Sequence, residues 1–297
     1  MLTNSIFLTG ASGFVGKNLI KNFSSNFSIN IADRNSPIII NDSIVIHLAG
    51  KAHDLKNTSI PEDYYIVNTD LTKKIYDSFL ASKAIVFIIL STVKAVADKV
   101  EGELSEDYIP DPITHYGKSK LLAEEYILSK LIPQGKRIYI LRPCMIHGPG
   151  NKGNLNLLYK IVNKGFPWPL GAFDNKRSFC SIDNLCHIIN ELIVNDKIPS
   201  GIYNIADDEP LSTNDIIKLI SESQEKNTII LKIPQILIII FSKLGDILGL
   251  PLNKDSLNKL TENYVVSNQK IKQAINKKLP LTTKEGLIKT FNSFKDL

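Results

Sequence analysis

Cysteine is scarce in this 297-residue chain: only Cys144, Cys180 and Cys186 occur, and none forms a CxxC pair. An odd number without such spacing argues against a disulfide framework and fits a reducing, cytoplasmic setting. Five dispersed histidines show no metal-ligand spacing, so no catalytic metal is expected. The net charge of +5 is carried by scattered lysines, and no basic run interleaves with aromatics. Nucleic acid is therefore not an expected partner. The start, MLTNSIFLTGASG, has no basic region ahead of a long apolar stretch, so no signal peptide is expected. A clean run of ~20 apolar residues is missing too. The most apolar stretch, Ile229 to Leu250, is interrupted by Lys232, Pro234, Gln235, Lys243 and Asp246. It predicts a buried or surface-docked helix and no membrane span.

What is present is ordinary globular material, 43% apolar and 22% charged, with length for one large domain or two intimate ones. SIFLTG, FSINIAD, SIVIHLAG, AIVFIILST and RIYILRP read as short apolar strands. Helical stretches lie between several of them, at 16–25, 61–82 and 114–130. Strands alternating with helices imply α/β architecture: a doubly wound parallel sheet of Rossmann type. After Pro143 the rhythm loosens into the loop HGPGNKGN, a helix near 155–164, the turn-rich GFPWPLG, a strand RSFCSI, a helix over 183–195 and a strand GIYNIA. Ser212 or Thr213 is expected to cap the next helix, and the last 70 residues read as mostly helical. The expected division is a dinucleotide-binding domain over 1–150, to which part of 177–206 returns, and a smaller, mostly helical substrate-binding region over 151–297.

Gly10-Ala-Ser-Gly13-Phe-Val-Gly16 joins the first strand to the first helix. Gly10 permits the tight turn, Gly13 lets a pyrophosphate approach the backbone, and Gly16 lets the helix pack on the sheet. The helix N-terminus offers its free amides to phosphate. Asp33 ends the second strand 17 residues after Gly16, placed for the adenosine ribose. Its carboxylate favours NAD, while Arg34 beside it keeps NADP open. Only ten residues, 34–43, separate Asp33 from the next strand's start. A crossover unit needs at least ~10–12, so the adenine side is expected to be shortened, with Asp42 a candidate contact.

Two YxxxK patterns follow, Tyr116/Lys120 and Tyr126/Lys130. Ten tyrosines and 31 lysines give about one by chance, so the pattern alone decides nothing. On one helix the two tyrosines stand about 80° apart, so they do not line one wall equally.

Seven stretches in order decide it: TGASGFVG, VIHLAG, YIVNTDLT, ILSTVKAV, DPITHYGKSKLLAEE, LRPCMIHGPG and RSFCSIDNL. Together they resemble the extended short-chain dehydrogenases of the nucleotide-sugar epimerase/dehydratase family, over residues 3 to 220. The stretch 148–179 resembles a bacterial surface-polysaccharide branch that acts on UDP-linked N-acetyl-deoxyhexosamines. The resemblance selects Tyr116 over Tyr126 and implies a catalytic set of Thr92, Tyr116 and Lys120, with Ser91 the fallback for Thr92. A free phenol titrates near ~10, and Lys120 is expected to favour its phenolate. The resemblance also places Ser12, Phe14, Val15, Leu48, Ala49, Gly50 and Pro143 along the cofactor. It makes Asn68 a positioning residue and puts Asn154 and Arg177 at the substrate diphosphate. His147 replaces a commoner tyrosine and receives no proton-transfer role; Lys51 and His53 stand near the nicotinamide end without one. The implied activity is hydride transfer at C4 of a UDP-sugar in a cytoplasmic homodimer, as a 4-keto reductase or a 4-epimerase. A non-catalytic dinucleotide sensor is the alternative of another class, and such proteins typically lose the tyrosine or lysine that this chain keeps.

Overall fold

The first strand shows why the sheet is covered on both faces. In β1 (Ser5–Thr9), Ile6 and Leu8 point one way and Phe7 the other, and all three are buried. Apolar side chains on both faces of the strand's centre suit a strand sandwiched between helices. The computed structural model describes residues 4–51, 60–151, 153–248 and 253–295. The chain continues through α1 (Phe14–Phe23), β2 (Ser28–Ile31), β3 (Ile44–His47) and α2 (Pro61–Tyr64). A π-helical turn over Tyr65–Asp70 leads into α3 (Leu71–Ala81), β4 (Val86–Leu90), β5 (Glu103–Leu104), α4 (His115–Leu128) and β6 (Arg137–Pro143). Then come β7 (Met145–His147), α5 (Asn154–Asn163), β8 (Phe179–Ser181), α6 (Ile182–Val194), β9 (Gly201–Ile205) and α7 (Thr213–Ser223). The chain closes with α8 (Gln235–Leu248), α9 (Lys254–Thr261), β10 (Val265–Val266), α10 (Gln269–Ile275) and α11 (Thr283–Asn292).

Six strands form one parallel sheet in the order β2-β1-β3-β4-β6-β9. One face packs Ile6, Leu8, Ile46 and Ile88 against Leu19 of α1 and Leu185, Ile188 and Leu192 of α6. The other packs Phe7, Val45, Phe87 and Ile89 against Ile75, Tyr76 and Phe79 of α3 and Ile127 of α4. The doubly wound arrangement expected from the strand–helix alternation is thus present. Phe87 sits 5.1 Å, centroid to centroid, from both Tyr76 and Phe79. Each such pair adds about 0.5–1.5 kcal/mol beyond burial.

Chain order reverses at β1: β2 lies to one side, β3 and everything later to the other. Ligands of open α/β sheets bind at this switch point, outside the carboxyl ends of the strands. No helix or strand stands between β2 and β3, as the short spacing predicted, and β2 is an edge strand.

A separate apolar cluster joins Leu155, Leu158 and Val162 of α5, Ile216 and Ile220 of α7, and Leu287 and Phe291 of α11. Ser212 caps α7 with a reciprocal box, its hydroxyl accepting from the Asp215 amide while the Asp215 carboxylate accepts from the Ser212 amide. Two short pairings were not foreseen: β5 with β10 and β7 with β8. The strand expected at RSFCSI is β8, but β5, β7 and β10, of two or three residues each, carry too little periodicity to be read from sequence.

Candidate functional site

The glycine loop turns at Gly10, whose φ of +72° places it in the left-handed region. A Cβ there would lie 2.5 Å from the Ala49 amide nitrogen. At Gly16 a Cβ would lie 2.4 Å from the Gly10 carbonyl oxygen, so α1 could not approach the loop with any larger residue. Gly13 caps α1 without a side-chain bond, and Ser12 and Gly13 are exposed. The first-turn amides of Phe14, Val15 and Gly16 therefore face outward with no intrahelical partner. A Cβ on Gly13 would meet only the Gly10 carbonyl oxygen, at 3.3 Å, so the loop is open there and fits a dinucleotide pyrophosphate. Gly16→Ala should raise the Kd for NADH by ~5–150-fold, the equivalent of about 1–3 kcal/mol of overpacking; fluorescence titration measures it, and unchanged affinity would refute the packing argument.

Asp33 and Arg34 stand exposed just past β2. The Asp33 carboxylate accepts from the Asn35 amide (3.1 Å) and the Ser36 hydroxyl (2.8 Å), which hold it below the usual carboxylate range. It is thus ionised and oriented, with acceptor capacity left for a ribose. Asp42 is buried and accepts from the Asn30 side chain at 2.6 Å, so it braces β2.

Behind the loop lies a chain of hydrogen bonds that the sequence did not reveal. Thr72 donates its hydroxyl proton to the Asn68 carbonyl (2.7 Å), so its oxygen accepts from His47 Nε2 (2.9 Å). His47 Nδ1 must then accept from the Thr9 hydroxyl (2.7 Å), whose oxygen accepts the Ala49 amide (3.1 Å). The fixed roles of the hydroxyls define the tautomer. Complete burial, with Lys120 nearby, pushes His47 down to about 3, so it stays neutral. Leu48 and Ala49 are thereby tied to the end of β1.

Gly50 faces the reactive end: a Cβ on it would lie 3.0 Å from both Lys120 Nζ and Asn68 Oδ1. Asn68, fully buried in the π-helical turn, accepts the Lys51 amide (2.7 Å) and donates to the Lys51 carbonyl (3.1 Å) and the Ser119 hydroxyl (3.0 Å). Isolated π turns are frequent at functional sites because they re-aim a side chain. Lys51 pairs with Asp63 at 2.5 Å. His53 lies outside the described residues.

Tyr116 and Lys120 occupy adjacent turns of α4. The helix starts at Thr114, whose hydroxyl accepts from the Gly117 amide, while Asp98 accepts the amides of Ile113 and Thr114. Gly117 lets the helix press on the turn after β4, since a Cβ there would lie 2.3 Å from the Lys94 carbonyl oxygen. That approach sets the Thr92 hydroxyl, which accepts the Lys94 amide at 3.2 Å, near enough to the Tyr116 phenol to favour its anion. Ser91 is occupied elsewhere: its hydroxyl donates to Glu124. Of the two candidate hydroxyls, Thr92 is the one that meets Tyr116.

Burial pushes the Tyr116 phenol up, and the Thr92 hydroxyl only partly opposes it. The sequence predicts a phenol favoured toward its anion; in the chain alone desolvation wins. Lys120 is also buried, with Nζ donating to the Leu90 carbonyl at 2.9 Å. Burial lowers it to about 8, against the pull of Glu124 one turn on. Glu124 is held in turn by Arg142, whose Nε and second guanidinium nitrogen reach its carboxylate at 3.0 and 2.5 Å. Both residues are at most 3% exposed. Tyr126 is turned away, donating to Asp77 at 2.8 Å, with Lys130 Nζ 4.8 Å from its ring.

Pro143 is buried at the end of β6, in register with Ile205. Arg177 donates to the Lys259 carbonyl and lies partly buried near Lys94. Lys94 Nζ sits 4.2 Å from the centre of the Tyr264 ring and donates to the Asp98 carbonyl at 2.8 Å. It is a second cation beside Arg177 that the sequence analysis passed over; its position two residues after Thr92 was the available signal. Asn154 is exposed at the first position of α5. His147 is fully buried, 2.9 Å from the Thr290 hydroxyl and 3.6 Å from Asp207, and so braces β7 against α11. All three cysteines are free and buried.

A glycine turn at the switch point of a doubly wound sheet fits a dinucleotide-dependent enzyme. The profile of the NAD dependent epimerase/dehydratase family matches residues 29–206, and the chain belongs to that family. It is 28% identical to a UDP-glucose 4-epimerase of Vibrio cholerae, over 99% of this chain and 96% of that one. It is 27% identical to the N-acetyl-alpha-D-glucosaminyl-diphospho-ditrans,octacis-undecaprenol 4-epimerase of Escherichia coli O157:H7, covering 92% and 86%. Among solved structures it resembles UDP-glucuronic acid 4-epimerase from Bacillus cereus in complex with NAD, at a TM-score of 0.76 and 20% identity, over 98% and 99% of the two chains. The chain is thus an NAD-dependent enzyme of the nucleotide-sugar epimerase and reductase group. Among the described residues no helix is long and apolar enough to cross a membrane, and no cluster of metal-ligating groups occurs.

Proposed function

We propose that the protein reduces the 4-ketone of a UDP-N-acetyl-6-deoxyhexosamine, a step in making surface polysaccharide precursors. The observation that carries reduction over epimerisation is the shortened adenine side: no helix or strand stands between β2 and β3, and Asp33 is exposed. A reductase must exchange its cofactor every turnover, and few adenine contacts suit that need. The full-length relatives named as 4-epimerases favour a second reading, a UDP-hexose or UDP-N-acetylhexosamine 4-epimerase.

In this reading the amides of Phe14, Val15 and Gly16 hold the pyrophosphate, Asp33 the adenosine ribose, and Lys120 the nicotinamide ribose. When bound, the nicotinamide supplies the hydride that reaches C4 and leaves oxidised. Tyr116 gives its phenolic proton to the C4 oxygen as the hydride arrives, which closes the balance of the new hydroxyl. Thr92 orients that phenol, and the Lys120 ammonium stabilises the phenolate left behind. Arg177, with its paired donors, and Asn154 bind the substrate diphosphate. The boundary near residue 150 divides cofactor from substrate binding in this scheme. A homodimer through the helices around 65–81 and 115–128, where Ile66 and Leu122 are exposed, completes it.

The test is to denature the purified protein and identify any dinucleotide released. An empty site that binds NADH or NADPH reversibly supports the reductase and names the cofactor. Stoichiometric retained NAD(H) supports the epimerase and overturns the first reading.

Lys120 sets an expected pH profile. Its ammonium is lost as pH rises through about 8, so kcat/KM should fall there in the free enzyme. Stability moves oppositely. Unfolded lysine titrates near 10.5, so between about 8 and 10 the unfolded chain binds the extra proton and this residue's contribution to stability rises with pH. A rate profile flat to pH 10 would remove Lys120 from the mechanism.

A further inference from the structure

Helix α8 is apolar on the side it shows to water. Ile236, Leu237, Ile240, Phe241 and Leu244 are 45–62% exposed. At 100° per residue they span about 140° of one face. The opposite face holds the helix down: Ile238 and Ser242 are buried, and Ile238 packs in the cluster with Trp168, Leu170 and Leu257. The Gln235 side chain donates to the Ala172 carbonyl at 2.8 Å. Ile229 and Leu231, also exposed, extend the patch toward the N-terminal side. Contiguous apolar surface on this scale marks an interaction site.

The charge around it selects the occupant. Residues 226–260 carry five lysines against two aspartates, with no arginine or glutamate, so three of the chain's five net positive charges sit here. None of these lysines forms an ion pair among the described residues. A second protein copy fits poorly. A helix of 14 residues offers a strip about 21 Å long and ~10 Å wide. That is far below the ~800 Å² per partner of a stable interface, and lysine is depleted from interface cores. An anionic bilayer fits both features. Its acyl boundary accepts a shallow apolar helix lying in the plane, and its headgroups attract lysines whose stems reach past the apolar face.

We propose that α8 docks this enzyme peripherally on an anionic lipid surface, with Phe241 and Ile240 seated in the headgroup boundary and Lys232 and Lys243 against the headgroups. The helix packs on the segment around Ala172 and on α9, whose Lys259 carbonyl receives Arg177. Docking would therefore hold the substrate lobe at the membrane.

The experiment is flotation of the intact protein with vesicles of phosphatidylcholine alone and of an equal mixture with phosphatidylglycerol. Co-flotation with the mixed vesicles only, weakened by salt, is the expected result. Ile240→Glu with Phe241→Glu should reduce it at least ~10-fold, and Lys232→Gln and Lys243→Gln by about fivefold each. Circular dichroism confirms that these surface variants fold. The proposal fails if the wild type stays in the bulk with mixed vesicles, or if the glutamate variant floats equally well. It also fails if the wild type ignores vesicles and forms an oligomer that the glutamate variant dissolves.

Discussion

Tyr116→Phe should lower kcat by about 10²–10⁴-fold while NADH affinity stays within about twofold. The substitution removes one oxygen and keeps the ring, which packs edge-on to Tyr64 with centroids 6.3 Å apart. The cradle at Gly10–Gly16 and the Lys120 contacts are untouched, so cofactor binding survives. Only the proton for the C4 oxygen is lost. Single-turnover oxidation of NADH with a 4-keto UDP-sugar separates the two effects. Turnover at the wild-type rate would remove Tyr116 from the reaction and assign the proton to another donor. Thr92→Ala should show a smaller loss, because the phenol remains but loses the hydroxyl that orients it.

Arg142→Leu should destabilise the protein by about 3–5 kcal/mol. Glu124 is 1% exposed and receives Arg142 from two guanidinium nitrogens. Without the arginine a carboxylate is left buried, with only the Ser91 hydroxyl and the Lys120 charge near it. The paired change Glu124→Leu with Arg142→Leu should recover most of that loss, since a well-packed apolar pair often replaces a buried ion pair without penalty. Activity should not recover in step. Lys120 loses the carboxylate that raises it, so the basic limb of kcat/KM should move below about 8. Chemical denaturation and a pH profile read these two outcomes separately. Equal destabilisation in the single and double variants would refute the buried-charge account.

Much of this was legible in the residues. The glycine loop, the strands about it and the shortened span after Asp33 follow from period, spacing and the length a crossover needs. The capping pattern at Ser212 was readable for the same local reason. Other features depend on what meets across the fold. Thr92 and Ser91 are adjacent and chemically alike; only the packing of α4 shows that one hydroxyl meets Tyr116 and the other Glu124. His47 looked like one dispersed histidine because its partners, Thr9 and Thr72, come from elements 38 and 25 positions away. The π turn at Asn68 is hidden inside an otherwise helical stretch. For α8 the residue types show apolarity but not which side has a neighbour. Tyr116 shows the limit in energy: the residue types name a proton donor, while the burial that raises its phenol is a property of the assembled site.

The pairing of β6 with β9 has a cost in time. The two strands lie in register, yet Pro143 and Gly201 are separated by a 58-position interval. At a synthesis rate of about 5–20 residues per second, the far edge of β6 waits roughly 3–12 s for its partner. Through that interval an apolar strand, Ile138-Tyr-Ile-Leu141, presents unpaired amides and carbonyls, the kind of edge that recruits other chains. Arg137 and Arg142 flank it on both sides. Before they serve as partners to the α6 carbonyls and to Glu124, they stand as charges at the two ends of this exposed edge of the nascent chain.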